Sequence, residues 1–95
     1  MEYEFTNQFV KDLKRFATNK VLLNIVAKKI QHVAKADSLD DITELIAIRK
    51  TTSHYRIKIK LPDKTKYRIG IKVLRKTVWF ACLENDKKRF YKNFP

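Results

Sequence analysis

The sequence predicts an α+β domain in which a short N-terminal strand and a helical hairpin pack on a twisted antiparallel β-sheet. Two changes of pattern carry that expectation. Between Phe9 and Ala34 apolar residues return every three or four positions, as they do along one face of a helix. After Ser53 the period falls to two, as in strands with one buried face. The chain has 95 residues, 44% of them hydrophobic, which suits one domain over residues 1–95 with a small core and argues against a disordered tail.

Residues 2–5 alternate as a short strand does, and Thr6 then offers a helix cap. Phe9, Val10, Leu13, Phe16 and Ala17 mark the apolar face of a first helix, with Lys11, Asp12, Lys14 and Arg15 between them. Thr18-Asn19 is a natural break. Leu22, Ile25, Val26, Ile30, Val33 and Ala34 then line a second helix whose other face carries Lys28, Lys29, Gln31 and Lys35. His32 lies at the margin of that apolar face and reads as structural or solvated. Asp37 to Asp41 closes the hairpin, with Ser38 and Asp41 spaced as a small capping box, and an irregular acidic stretch runs on to Ile48.

In Tyr55-Arg56-Ile57-Lys58-Ile59-Lys60-Leu61 every second residue is apolar and every intervening one basic. Pro62 to Thr65 supplies a turn, and Tyr67-Arg68-Ile69-Gly70-Ile71-Lys72-Val73 repeats the alternation. Apolar residues are odd-numbered on both strands, so an antiparallel hairpin places them on one face and Arg56, Lys58, Lys60, Arg68 and Lys72 on the other. Loops of three and of five residues both keep this parity, so the register stays open between them. Gly70, the only glycine, falls on the cationic face and is expected to leave space there for a ligand backbone or a basic side chain. Leu74-Arg75-Lys76 forms a turn into Thr77 to Leu83, a strand apolar on both faces and therefore expected inside the sheet. Glu84 to Lys88 reads as a loop, and Arg89 to Pro95 as a basic tail with aromatic anchors.

Charge is the strongest compositional signal, at +12 overall. Residues 1–49 hold eight basic and seven acidic groups, a net +1, whereas residues 50–95 hold fourteen and three, a net +11. That asymmetry points to a polyanionic partner, either nucleic acid or an acidic protein. Like charges side by side on strands repel, and an anion relieves them. Lys and Arg beside tyrosines suit single-stranded RNA, where phosphates meet cations and bases stack on rings. Tyr55 and Tyr67 share the parity of the core isoleucines and are assigned to the core; Tyr91 lies outside the alternation and is the better candidate for a working phenol.

Several other classes fit poorly. Cys82 is the only cysteine, sits in an apolar run and reads as a buried small hydrophobe. His32 and His54 have no metal-ligand spacing, so no metal or other cofactor is expected. Met1-Glu2-Tyr3-Glu4 lacks the basic start and apolar core of a signal peptide, and no run is long enough to span a membrane, which points to the cytoplasm. There is no Ser-His-Asp set and no glycine-rich phosphate loop. Catalysis, if present, rests on positive charge: cations stabilising a pentacoordinate phosphorus while a Tyr or Lys moves protons, on a substrate that brings its own 2′-hydroxyl nucleophile.

The Tyr55 to Ile59 string, the Tyr67-Arg68-Ile69-Gly70 string and the ending Lys87-Lys88-Arg89-Phe90-Tyr91-Lys92-Asn93-Phe94-Pro95 resemble the RelE/ParE toxin superfamily. Phe5 to Lys14 and Asp37 to Ile42 are similar to family members too, so the resemblance spans essentially the whole chain. It implies a toxin of a type II toxin–antitoxin system, restrained by a cognate acidic antitoxin laid across the sheet or the helical hairpin. For the RelE-like branch it implies a nuclease that cuts mRNA on the ribosome. By that resemblance Arg56 and Lys58 fall on strand positions that contact and activate RNA, and Arg68 on a transition-state arginine. Lys87 falls near a later basic residue, and Tyr91 on a C-terminal tyrosine that stacks on the base or assists proton transfer. Lys60, Lys72, Lys88, Arg89 and Lys92 are the expected RNA-binding cations around them. Two adjacent positions depart from the pattern: similar endings often carry a histidine then an arginine where this chain has Asp86 and Lys87. Two alternatives remain open at this level, a ParE-type inhibitor of DNA gyrase without chemistry of its own, and a non-catalytic RNA-binding relative, for which Asp86 is the warning sign.

Overall fold

A computed structural model describes residues 1–48 and 53–94; Pro95, the end of the expected tail, lies outside them. The elements are β1 (Glu2–Phe5), α1 (Asn7–Arg15), α2 (Lys20–Lys35), a single 3-10 turn (Leu39–Asp41), β2 (Ile46–Ala47), β3 (His54–Lys60), β4 (Lys66–Leu74), β5 (Thr77–Glu84) and α3 (Lys87–Asn93). The strands form one five-stranded sheet in the order β1-β5-β4-β3-β2.

The α+β class and the helical hairpin hold. Thr6 caps α1 by accepting the Phe9 N–H at 3.1 Å, and Asn19 caps α2 by accepting the Leu22 N–H at 3.1 Å. The Asp41 carboxylate accepts the Ser38 N–H at 3.2 Å, the carboxylate half of the expected box. Strands β2 to β5 pair antiparallel, but β1 lies parallel to β5, with Glu2 opposite Thr77 and Phe5 opposite Phe80, so the sheet is mixed. Parallel neighbours need a long connection, and here everything from α1 to β4 lies between them.

In β3 and β4 the odd-numbered apolar residues face α1 and α2. Phe9, Leu22, Val26 and Val33 pack there on Ile57, Ile59, Ile69, Ile71, Val78, Phe80 and Leu83. Tyr67 is buried with its ring edge-on to Phe16 at 5.2 Å, and Tyr55 packs against the same core, as their parity required. Lys60 pairs with Lys66, so the hairpin loop is the five-residue alternative, residues 61–65. Val10, Ala17 and Ala34, expected on the helical apolar faces, are exposed.

Position 10 is displaced from the core by Asp12, which is only 5% exposed, and the reason lies in β5. Gly70 pairs with Cys82 and Ile71 with Phe80, so Ala81 is an extra residue, a β-bulge. The bulge switches the parity of β5, which is why this strand reads as apolar on both faces. It also falls just beyond the reach of β1, so that among the described residues the outer edge of β5 has no strand neighbour there. Side chains of the α1 segment take over. Thr6 Oγ1 donates to the Ala81 carbonyl at 2.8 Å, Asp12 Oδ2 accepts the Leu83 N–H at 2.9 Å, and Gln8 Nε2 donates to Asp12 Oδ1 at 2.9 Å.

The largest departure from expectation is the C-terminus. Residues read as loop and tail form α3, which packs on the sheet face opposite α1 and α2. Its Phe90 and Phe94 make a second small core with Ala81 and Ile48. Seven residues with four basic side chains carry no helical signature strong enough to read, and the second core exists only once the sheet has formed.

Removing the Asp12 carboxylate orphans a buried N–H, so Asp12→Ala is expected to cost about 1–3 kcal/mol in urea-unfolding stability. Asp12→Asn, which keeps an acceptor for Leu83, should lose distinctly less.

Candidate nucleic-acid interface and active site

Antiparallel pairing puts three cross-strand couples on the α3 side of the sheet: Arg56 opposite Gly70, Lys58 opposite Arg68, and Lys60 opposite Lys66. A Cβ on Gly70 would lie 2.6 Å from Cys82 Sγ and 2.8 Å from Phe94 Cδ2. The space at Gly70 is therefore already filled by the protein, which corrects the expectation of room for a ligand or basic side chain. Phe94 anchors α3 there, and helical spacing sorts the rest of α3 around that anchor. Lys87 and Tyr91 share one flank, Arg89 and Asn93 the other, and Lys88 and Lys92 point away from the sheet-facing pair Phe90 and Phe94.

On the first flank the sequence-derived residues meet. The Arg56 Nη1 donates a hydrogen bond to the Tyr91 hydroxyl. Arg56 Cζ lies 5.9 Å and Arg68 Cζ 5.8 Å from the centroid of the Tyr91 ring, so two guanidiniums attend one phenol. Arg68 is 9% exposed, and the Nε atoms of Arg56 and Arg68 are buried with no hydrogen-bond partner among the described residues. A buried, unsatisfied guanidinium nitrogen is costly, and an anion entering the site would relieve it. Lys58, opposite Arg68, and Lys87, one turn before Tyr91, are exposed.

The second flank is different in kind. Glu84, 8% exposed and facing Arg68 across the β4–β5 pair, accepts from Arg15 Nη2 at 3.1 Å and lies 3.9 Å from Arg89 Nε. Its Oε1 also accepts the Asn85 and Asp86 backbone N–H groups at 3.1 and 3.3 Å. Although burial pushes the Glu84 carboxyl up, the Arg15 hydrogen bond and charge and these backbone donors hold it below its ordinary value. Arg89 thus stands with Lys72 in a hollow shared with Glu84 and Asp12, apart from the Tyr91 cluster. Lys88 and Lys92 are exposed on α3. Of the nine expected cations and one phenol, Arg56, Arg68 and Tyr91 lie together with Lys58 and Lys60 following along the same sheet face, and Lys87 shares the Tyr91 flank of α3. Lys72 and Arg89 lie on the other.

Asp86, the first of the departures from the family pattern, is the N-cap of α3. Its Oδ1 accepts the Lys88 and Arg89 N–H groups at 2.9 and 3.3 Å. The carboxylate is spent on the helix start, where a negative charge is favourable. Cys82 is half-buried in the second core, and burial pushes its thiol up to about 12, which keeps it protonated at neutral pH. Burial and the charge of Lys72 lower the pKa of His54, whose ring packs on Phe94 at 5.3 Å. Among the described residues no group of three or more His, Cys, Asp and Glu side chains is placed to hold a metal ion. No helix described is long and apolar enough to cross a membrane.

Two residues of the site escaped the sequence reading. Glu84 looked like the first residue of a polar loop, with nothing local to mark its burial. Lys66 was legible: it continues the even-numbered basic series of β4 by one step.

No known family model and no curated protein matches the sequence. The fold does find a neighbour. It is similar, with a TM-score of 0.67, to a chain in the crystal structure of the RelB–RelE antitoxin–toxin complex from Methanococcus jannaschii. The match covers 96% of this chain and 98% of that one at 28% sequence identity. The chain therefore shares its α+β fold with a component of a toxin–antitoxin complex.

Because the folded Glu84 holds its charge more readily than the unfolded one, its contribution to stability is present above the ordinary glutamate range and is lost as pH falls through the lower folded value. Urea titrations from pH 7 to pH 3 should show this acid-side loss in the wild type and a flatter profile in Glu84→Gln.

Proposed function

We propose that this protein is the toxin of a type II toxin–antitoxin pair and an RNA endonuclease acting on ribosome-bound mRNA in the cytoplasm. The observation that carries the reading is the convergence of Arg56 and Arg68 on Tyr91, with two buried guanidinium nitrogens unpartnered among the described residues. The similarity to a chain of an antitoxin–toxin complex supports the toxin–antitoxin context, and the resemblance of the strand and C-terminal motifs to RelE-like nucleases supports the choice of RNA.

The chemistry follows from the donor set. A scissile phosphodiester sits against the guanidinium groups of Arg68 and Arg56, which take up the charge that grows on its non-bridging oxygens in the transition state. The ribose 2′-hydroxyl, oriented by Lys58, attacks phosphorus and releases its proton to solvent while the bond to the 5′-oxygen breaks, leaving a 2′,3′-cyclic phosphate. The Tyr91 oxygen already accepts a hydrogen bond from Arg56, so its own proton is free to be given. That geometry suits Tyr91 as the general acid for the departing 5′-oxygen; Tyr91 regains the proton it gives from solvent after the step. Lys87, on the same helical flank, adds positive charge beside the leaving group. An acidic antitoxin would silence the protein by occupying this flank in place of phosphate.

Brief induction in bacteria followed by mapping of mRNA 5′ ends tests the reading. New ends confined to translated regions and phased with codons are expected for the wild type. Arg68→Ala should reduce cleavage by about 10²–10³-fold and Tyr91→Phe by about 10²-fold or more, each leaving the protein folded. Growth arrest with intact mRNA and DNA damage would instead identify gyrase as the target.

A further inference from the structure

Beyond Arg68, away from α3, the cationic couples continue toward the tip of the β3–β4 hairpin. A cavity of about 210 Å³ opens there, lined by Lys58, Ile59, Lys60, Lys66, Tyr67 and Arg68. No residue of α1 or α2 borders it, and Tyr67 turns its ring to Phe16 on the other side of the sheet, so the cavity lies on the cationic face. Four of its six lining residues are basic and none is acidic. Lys60 and Lys66 are direct cross-strand partners, as are Lys58 and Arg68, which makes two like-charged couples in succession. Such couples destabilise a bare sheet. The nearest loop carboxylate, Asp63, is turned to the Thr65 N–H at 2.9 Å, which holds its pKa low and spends it on the turn.

We infer that this cavity is a second phosphate subsite, taking the phosphodiester next to the one held by Arg56, Arg68 and Tyr91, with Lys60 and Lys66 as its outer walls. The inference rests on the nuclease reading and adds to it a direction for the strand. Side chains on one face of a strand recur every two residues, about 6.6 Å, a step close to that between successive phosphates of an extended single strand. At its other end the cationic row is closed, because Phe94 stands over Gly70 opposite Arg56. RNA can therefore run from Tyr91 toward the hairpin tip and not past α3. The cavity is smaller than pockets that hold whole small-molecule ligands, which suits a phosphate group whose sugar and base remain outside.

The test is NMR-monitored titration with two uncleavable 2′-O-methyl RNA probes, a dimer with one internucleotide phosphate and a trimer with two. The wild type should bind the trimer roughly tenfold more tightly, the scale of one charge-assisted contact. The trimer's log–log salt dependence should be steeper by about 0.7. In Lys60→Ala/Lys66→Ala the trimer should lose both its advantage and the extra slope while the dimer is unaffected; Lys60→Arg/Lys66→Arg should retain them. Both lysines are exposed, so neither change threatens the fold. A trimer advantage that survives the double alanine variant overturns the subsite, as does an equal loss for both probes or a wild type that binds neither. Arg68→Ala separates the two levels: unchanged dimer affinity in that variant sinks the nuclease site itself, whatever the lysines do.

Discussion

Phe94 rests on bare backbone at Gly70, and any side chain there would meet Cys82 Sγ at 2.6 Å and the Phe94 ring at 2.8 Å. The arrangement of the cationic face follows from that close approach. α3 is a helix of seven residues, too short to persist alone, and it is fixed by Phe90 and Phe94 at one surface and by Asp86 and Glu84 at its start. Only with the helix seated does Tyr91 reach Arg56 and come within 6 Å of Arg68. Three levels of structure thus hang on one missing methyl group: a strand position, a docked helix, and a phenol held between two guanidiniums.

The same helix divides the basic surface into two electrostatic regimes. On the Lys72 and Arg89 flank, Glu84 and Asp12 are buried among the cations, and their charges are met by Arg15, by Gln8 and by backbone N–H groups. That side is self-compensated and knits α1, β5 and α3 together. On the Tyr91 flank the couples Lys58–Arg68 and Lys60–Lys66 face each other with no acid among the cavity's lining residues. Like charges held side by side repel one another and attract an anion that relieves them. A net charge of +12 describes the molecule poorly; what matters is where the twelve are left unpaid.

Much of this is legible in the amino-acid sequence. Alternation through Tyr55–Leu61 and Tyr67–Val73 determines which residues share a face, because side chains on a strand point to opposite sides in turn. Arg56, Lys58, Lys60 and Arg68 were therefore assigned to one surface, and Tyr55 and Tyr67 to the other, by parity alone. The helical period did the same for Phe9, Leu22, Val26 and Val33, and Thr6 and Asn19 announced where the helices start. The likeness of the C-terminal motif to RelE-like endings singled out Tyr91 without saying how it reaches the strands.

What the sequence could not carry was everything that depends on one element meeting another. Asp12 lies among polar residues of a helix, and its burial is decided by a bulge seventy residues later that leaves the Leu83 N–H in need of an acceptor. Glu84 reads as the edge of a loop until Arg15 from α1 closes on it. β1 could have paired on either side of the sheet in either sense, since four alternating residues contain no register. α3 is helical because a second core waits for Phe90 and Phe94. Local periodicity records which way each side chain points, and so the amino-acid sequence by itself determined the two faces of the sheet and the chemistry of each. Which of those side chains end up within reach of one another is a matter of packing and of satisfying buried backbone groups, and only the tertiary structure decided it.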